Sequence, residues 1–560
     1  MSEFALPPGL VLMLGGALIP FLPAASRIAV ILGFPLLTLA ITWALPDGAV
    51  LTTSYLGYEI VPVRVDALSR LFATIFSIMA FAGGLFALKQ EKIGELAAAF
   101  IYAGSAIGVV FAGDLITVFA FWELMAIAST VVVWMGGASA RASGQRYAVI
   151  HFLGGVILMA GIAGHVATTG STAFEAMSPD SIATWLILAA FLVNAGAPPL
   201  SAWLPDAYPA ASWSGTVFLS AFTTKTAVYV LLRGFPGAEV LIFVGLYMVF
   251  YGIVYAILEN DMRRILAYSI VNQVGFMVTA IGIGSEMALN GAAAHAFAHI
   301  IYKALLLMSA GSVLYMTGKS KCTDLGGLFR TMPVTATCGI IGALAISAFP
   351  FTSGFISKSM ISQAAGDEHL TLVWFLLAAA SAGVFLHAGI KFPWFVFFQK
   401  DSGMRPKEPP LTMRMAMILL SFLCIYLGLF PGPLYAILPY PVDYVPYTGS
   451  HVVFQLQLLL FSGLAFFLLL GFLKRTLTIT LDVDWFWRGI GRALAREFNW
   501  RGGQAWGAFA ASNYRTARRF VETLYRHHGP DGILARTRPT GSMTLWMTVL
   551  LAAYLVFYLF

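Results

Sequence analysis

Sixteen apolar stretches, most of them about 20 residues long, alternate with short polar loops along the 560-residue chain. A helix needs about 20 apolar residues to cross the hydrocarbon core of a bilayer, and lipid requires every spanning backbone group to be satisfied within the protein. The pattern therefore predicts an all-α polytopic membrane protein. Spans are expected near 8–23, 28–46, 67–88, 93–111, 114–136, 146–168, 182–204 and 212–233. Further spans follow near 239–258, 264–284, 288–316, 333–363, 371–398, 411–430, 452–473 and 543–560. A composition of 59% hydrophobic and 11% charged residues excludes a soluble globular protein of this length.

The net charge of +7 sits in short loops and one late segment, which fits the positive-inside rule and not nucleic-acid binding. Loops on one side hold Arg27, Lys89, Arg141, Arg263, Lys319 and Lys400. Those on the other hold Glu59, Asp66, Glu175, Glu286, Asp367 and Asp443. This bias predicts both termini outside. The start, MSEFALPPGLVLMLGG, lacks a basic n-region and reads as the first span, not a cleaved signal. Cys322, Cys338 and Cys424 are far apart in sequence and read as packing residues.

Two spans are interrupted, at Pro198-Pro199 and at Pro350 within SAFPFTSGFISKSM, five spans apart. Paired broken helices point to inverted repeats around a midplane site, here 93–233 and 239–398. Ordinary proline kinks are the alternative. Residues 1–92 then form N-terminal helices and 411–473 additional spans. Residues 474–542 form a basic segment and 543–560 a last anchor. Between 474 and 540 twelve Lys or Arg stand against five acids. Arg488, Arg492 and Arg496 recur opposite Phe486, Ile490, Leu494 and Phe498. Such a segment lies on a membrane surface against anionic lipid or braces neighbouring subunits. Breaks are expected at Gly502-Gly503 and Gly529-Pro530.

Ionisable residues inside spans are functional-site candidates by default. Glu123, in AFAFWELMAIAST, has no charged neighbour in sequence, so it either titrates in a relay or waits for a cation from another helix. Lys225 and Lys358 pose the same problem with the opposite sign. His295, His299 and Lys303, spaced by four, share one helix face over roughly 12 Å. Histidine exchanges protons near neutrality. Histidines bonded to helix backbone are the alternative, and with no cysteine or carboxylate nearby in sequence no metal site is expected. His151 and His165, fourteen residues apart in one span, are weaker candidates, and Asp206 reads as a cap on the next helix. Arg263 and Arg264 read as edge anchors. No phosphate loop, nucleophile motif or haem attachment pattern is present, and no cofactor is expected.

FWELM around Glu123, PPLSAWLPDAYP followed by TTKTAVYVLLR, DMRRILAYSIVNQVGFM, HAFAHIIYKALL and PFTSGFISKSM stand in that order. On these motifs, over residues 60–430, the chain resembles the antiporter-like membrane subunits shared by respiratory complex I and Mrp-type multisubunit cation/proton antiporters, and is most similar to the D-type Mrp component. The resemblance implies a fourteen-helix core with two inverted five-helix repeats and a polar central axis. On it Glu123 serves the first half-channel, Lys225 connects, His299 and Lys303 link, and Lys358 is the exit. It also implies a bacterial inner-membrane location, other membrane subunits as partners, and protons with Na+ or another monovalent cation as cargo. The chemistry would be relay, not that of an enzyme by itself. One position departs: Asn194 stands where the family places the lysine that pairs with the glutamate, and Ser201 replaces a histidine. Two functions lead, ahead of a stand-alone secondary transporter, for which no substrate-pocket signature is visible. One is proton translocation as an antiporter-like subunit. The other is a scaffold or energy-coupling role in a respiratory or carbon-accumulating complex, with the first half-channel partly disabled.

Overall fold

The computed structural model describes residues 6–55, 57–471, 482, 484–530, 532–536 and 539–559, in two compact units, Met1–Val483 and Asp484–Phe560. The first unit opens with α1 (Pro8–Leu18) and α2 (Ala24–Ala44). A hairpin follows, β1 (Gly48–Tyr55) and β2 (Tyr58–Val65), then α3 (Ala67–Phe86), α4 (Ile93–Phe111), α5 (Leu115–Trp134) and α6 (Arg141–Thr169). Next come α7 (Ile182–Ala195), the short α8 (Trp203–Ala207), α9 (Gly215–Ala221) and α10 (Thr223–Gly234). Then follow α11 (Val240–Leu258), α12 (Met262–Ile283), α13 (Glu286–Thr317), α14 (Pro333–Ile346), α15 (Ser353–Asp367) and α16 (Thr371–Val384). The unit ends with α17 (Leu411–Leu429), α18 (Gly432–Tyr435) and α19 (Gly449–Leu468). Among the described residues thirteen helical stretches are long and apolar enough to cross a membrane, and Pro8–Phe21, Ile182–Ala195 and Pro333–Ile346 are shorter apolar helices. The chain is a multi-pass membrane protein.

Burial rises towards the middle of the bundle. The stretch from α9 through α10, Arg233 apart, and α12 from Ile265 to Gly282 are buried, and α13 packs against α3, α9, α10, α12, α14, α15 and α17. Helices α11 and α12 approach so closely that a Cβ on Gly245 would stand 2.6 Å from the Gly275 carbonyl oxygen. The three cysteines are free and buried.

Both broken spans break at their prolines. Helix α7 ends at Gly196, which takes the left-handed φ of 81° that a side chain resists. Residues 197–202 are not α-helical before α8 begins. Helix α14 stops at Ile346, and Ala348 (φ 56°) and Phe351 (φ 67°) turn the chain before α15 resumes at Ser353.

The structure departs from the sequence reading in four places. The stretch 48–65 is an antiparallel hairpin with Ile60, Val63 and Val65 buried, so the fold is not strictly all-α. Its edge is satisfied from α5: the Asp114 carboxylate accepts from Val61 N at 2.9 Å and caps the helix through Thr117 N at 2.8 Å. The span 212–233 divides into α9 and α10 at Phe222. The span 371–398 passes from α16 into π-helical turns at Phe385–Lys391 and Trp394–Phe398. In the second unit α20 (Asp484–His528) runs without interruption through Gly502-Gly503. Each interior glycine costs only about 1 kcal/mol, which a helix of 45 residues absorbs.

That helix does end before Gly529-Pro530, and its Ile490, Leu494 and Phe498 are exposed along it. The start of the basic segment, residues 474–481, and the side chains of Phe486 and Arg492 lie outside the described residues. The last helix, α21 (Thr540–Leu559), has no buried side chain.

Candidate functional site

Breaking a helix frees carbonyl groups that the next turn would otherwise use. Buried lysines occupy them. Lys225, on the first turn of α10, donates from Nζ to the Ser220 carbonyl oxygen at 2.6 Å, left free by the α9/α10 break, and to Thr224 Oγ1 at 3.0 Å. Lys358, on α15, donates across the second break to the Ile346 carbonyl oxygen at 2.8 Å and stands 4.8 Å from the centre of the Phe276 ring. A helix C-terminus carries partial negative charge, and an aromatic face attracts a cation, so both seats accept an ammonium without a carboxylate. Lys303, on unbroken α13, donates to Ser269 Oγ at 2.9 Å and the Leu266 carbonyl oxygen at 3.4 Å. Every ion pair among the described residues is made by an arginine.

Between these lysines lie the histidines of α13. His295 bonds through Nδ1 to Ser357 Oγ at 3.0 Å, on the helix of Lys358, and through Nε2 to Gln273 Oε1 at 3.2 Å. Tyr302 OH donates to the same Gln273 oxygen at 3.1 Å. The rings of His295 and His299 are 6.2 Å apart, and neither ring nitrogen of His299 has a hydrogen-bond partner. Lys225, Lys303 and Lys358 all lie within electrostatic reach of His299. Lys225, His299, Lys303, His295 and Lys358 thus form a buried row of titratable residues, in which Ser357 bonds His295 to the helix of Lys358. At Lys358 it meets a cavity of about 270 Å³ lined also by Ser359, Gln363, Tyr444, His451 and Gln455.

Glu123 lies apart from this row, on α5 against α6. Its Oε1 is buried without a hydrogen-bond partner, 1.7 Å from where a Cβ on Gly155 would stand. His151 does not pair with it: His151 Nδ1 meets Asn194 Oδ1 at 2.7 Å, both residues being buried. His165 is only half-buried. Asp206 is no simple cap. Its carboxylate accepts two hydrogen bonds from Arg146 of α6, at 2.7 and 2.9 Å, because α8 folds back onto α6. Arg263 is buried, donating to the Ala211 and Ser212 carbonyl oxygens at 2.8 Å, whereas Arg264 pairs with Glu259 at 3.3 Å. Among the described residues no three of His, Cys, Asp or Glu converge as a metal site.

Several site residues carry no obvious mark in the sequence. Gln273, Tyr302 and Ser357 hold His295, yet neutral polar residues are unremarkable in a span. Lys391 was legible by the signal that marks Lys225, a charge inside an apolar run, and His387 precedes it by four. Lys391 donates to the carbonyl oxygens of Ala256, Ile257 and Glu259 at the end of α11. Glu95, in the first turn of α4, is buried and accepts from Ser212 and Ser214 Oγ, each at 2.6 Å.

The site is a helical bundle with two broken helices around a buried set of lysines and histidines. Residues 112–385 match the family described as NADH:quinone oxidoreductase/Mrp antiporter, TM. It is 29% identical over 403 residues to a probable K(+)/H(+) antiporter A/B subunit of Rhizobium meliloti, covering 66% of this chain and 40% of that protein. It is likewise 29% identical over 345 residues to a Na(+)/H(+) antiporter D subunit of Alkalihalophilus pseudofirmus, covering 56% and 70%. The chain thus spans well under half of the first relative's length. Two solved structures share the fold. A chain of the membrane-bound sulfane sulfur reductase, an archaeal respiratory membrane complex, aligns with TM-score 0.72 at 22% identity over 98% of this chain and 99% of that one. A chain of the Mrp complex from Dietzia sp. DQ12-45-1b aligns with TM-score 0.67 at 21% identity over 78% and 96%.

Proposed function

We propose that this chain is a proton-translocating, antiporter-like subunit of a multisubunit complex in a bacterial inner membrane, taking part in monovalent cation/proton antiport. The observation that carries the reading is the buried row Lys225, His299, Lys303, His295 and Lys358, in which each lysine rests on carbonyl or hydroxyl oxygens instead of a carboxylate. A lysine held in this way can release and regain a proton without breaking an ion pair. Residues 93–233 and 239–398 serve as the two inverted repeats, flanked by 1–92 and 411–473. The polar cavity at Lys358 is the second half's opening. Residues 474–542 lie along the membrane surface against anionic lipid, 543–560 anchor them, and both termini are outside. Other membrane subunits flank the chain, and its own chemistry is relay.

Asn194 favours a second reading, a scaffold or energy-coupling role with the first half-channel partly disabled, because an amide supplies no charge to Glu123. Proton movement on a Na+ or K+ pulse in vesicles holding the full complex separates the two. Lys225→Ala and Lys358→Ala each abolish it under the first reading, with the complex still assembled. Unchanged movement in both variants refutes that reading.

A further inference from the structure

The cavity beside Lys358 takes part of its wall from α19, a helix beyond the matched residues 112–385. Two contacts seat α19 at the second break. The broken end of α14 presents the carbonyl oxygens of Ile346 and Ser347. Lys358 Nζ donates to the first at 2.8 Å, and Gln455 Nε2, from α19, donates to the second at 3.2 Å. One turn before Gln455, the His451 ring stacks on Phe355, with centres 4.6 Å apart and 21° between the planes. Phe355 stands one turn before Lys358 on α15.

His451 is oriented for exchange. Its Nδ1 meets the Pro446 carbonyl oxygen at 2.8 Å. A carbonyl only accepts, so in the neutral ring Nδ1 carries the proton and Nε2 presents a lone pair. That Nε2 has no hydrogen-bond partner among the described residues.

The cavity, not a direct bond, joins the lysine to the histidine. Both line the same space of about 270 Å³, and a water needs only about 10–15 Å³ of such volume. The lining passes from buried Lys358 and Gln455 to half-buried His451 and Tyr444, and on to exposed Gln363 and Ser450. Among the described residues no carboxylate lines it, and Asp367 at the end of α15 accepts from Gln363 Nε2 at 2.7 Å. Of the elements packed on α19, α16 carries no titratable side chain. The π-helical turn Phe385–Lys391 carries His387 and Lys391, which bond to the Gly383 carbonyl oxygen and to the end of α11.

We propose that His451 is the outer proton-exchanging group of the Lys358 outlet. In the outward step an N–H bond of the Lys358 ammonium breaks, the proton passes along cavity water, and an N–H bond forms at His451 Nε2. A neutral amine and an imidazolium result. Loss of the Nε2 proton to solution at the exposed end restores the neutral ring, and the amine is free to take the next proton.

The inference rests on the proton-translocating reading, and the test keeps their failures apart. Proton movement on a Na+ or K+ pulse is measured in light and in heavy water, in vesicles of the full complex carrying His451→Phe or Lys358→Ala. His451→Phe keeps an aromatic ring against Phe355 and removes the exchanging nitrogens; His451→Gln takes its place if that complex does not assemble. A positioned acid–base group contributes about a hundredfold or more in rate. Movement should therefore fall by about tenfold to a hundredfold, and the light-to-heavy-water rate ratio should rise because transfer at the outlet becomes limiting. A lower rate at an unaltered ratio shows a packing role and overturns the inference. Loss in Lys358→Ala with the unaltered rate in the His451 variant overturns the inference alone. An unaltered rate in Lys358→Ala overturns the inference together with the lysine row beneath it.

Hydroxyl-radical labelling of the unaltered complex, read by mass spectrometry, tests the water route without any variant. Phe355 is buried but lines the cavity, whereas Phe392 is equally buried and does not. Phe355 should be oxidised several times faster than Phe392. Equal labelling of the two overturns the route.

Discussion

Gly155→Ala probes the seat of Glu123 without touching a titratable group. The added Cβ would meet Oε1 at 1.7 Å and Cδ at 2.6 Å, so the carboxyl must retreat by about 1.7 Å to reach ordinary contact at 3.4 Å. The obstacle is the end of a flexible side chain, not backbone, and the helix itself accepts alanine. Replacing an interior helical glycine gains about 0.5–1 kcal/mol, while forcing Glu123 off its rotamer costs about 0.5–1.5 kcal/mol. Net stability therefore changes by no more than about 1 kcal/mol. Transfer is far more sensitive, because a misplacement of about 1 Å costs on the order of a hundredfold in rate. The expected result is a protein that assembles and melts as before while proton movement in vesicles falls by about ten- to a hundredfold. Infrared bands of the Glu123 carboxyl, assigned with Glu123→Gln, should shift with it. Wild-type movement with a shifted carboxyl band would refute the claim that this seat matters.

Asp66, just outside α3, caps that helix through Ser69 and accepts from Arg233 Nη2 at 2.6 Å. Burial alone would raise its pKa, but Arg233 and the Ser69 N–H outweigh it and hold the carboxyl below the ordinary carboxylate value. Its stabilisation is therefore complete above that ordinary value and lost as pH falls through the lower folded one. Thermal melts should show an acid-side loss that Asp66→Asn removes. Asp206→Ala takes the carboxylate away from Arg146, leaving its bond to Ser143 Oγ, and should cost about 1–3 kcal/mol, lowering the melting temperature while assembled complex keeps its proton movement. Lost movement at unchanged stability would instead return Asp206 to the path. Lys391 matches all three ammonium donors to carbonyl acceptors, so Lys391→Met should lower the melting temperature and leave proton movement intact.

The spans were legible because bilayer thickness sets a length that the apolar runs of this chain repeat, and both breaks were legible because proline cannot continue the ladder. The α9/α10 break was not, since FLSAFTTKT carries neither residue and the turn at Phe222 depends on its buried neighbours. The hairpin was hidden for a similar reason: its edge is completed by Asp114, about fifty residues away in sequence. The π-helical turns had a signal in HAGIKFPWF that helix periodicity ignores. At the site, Glu123, Lys225, His295, His299, Lys303 and Lys358 stood out as charges or histidines in apolar runs. Their seats did not, because a freed carbonyl at Ser220 or Ile346 is a property of backbone geometry. Asn194 was visible only as a departure, and its bond to His151 needed α6 and α7 to be placed side by side.

The most direct test falls on Lys303, which sits at the middle of the row on α13, held only by Ser269 Oγ and a distant carbonyl. Proton movement on a cation pulse should be compared between vesicles of the unaltered complex and of Lys303→Ala, with protein content matched. Loss of movement in an assembled Lys303→Ala complex is predicted, since no other titratable group replaces that link. Movement at the unaltered rate would contradict a proton path along the buried row.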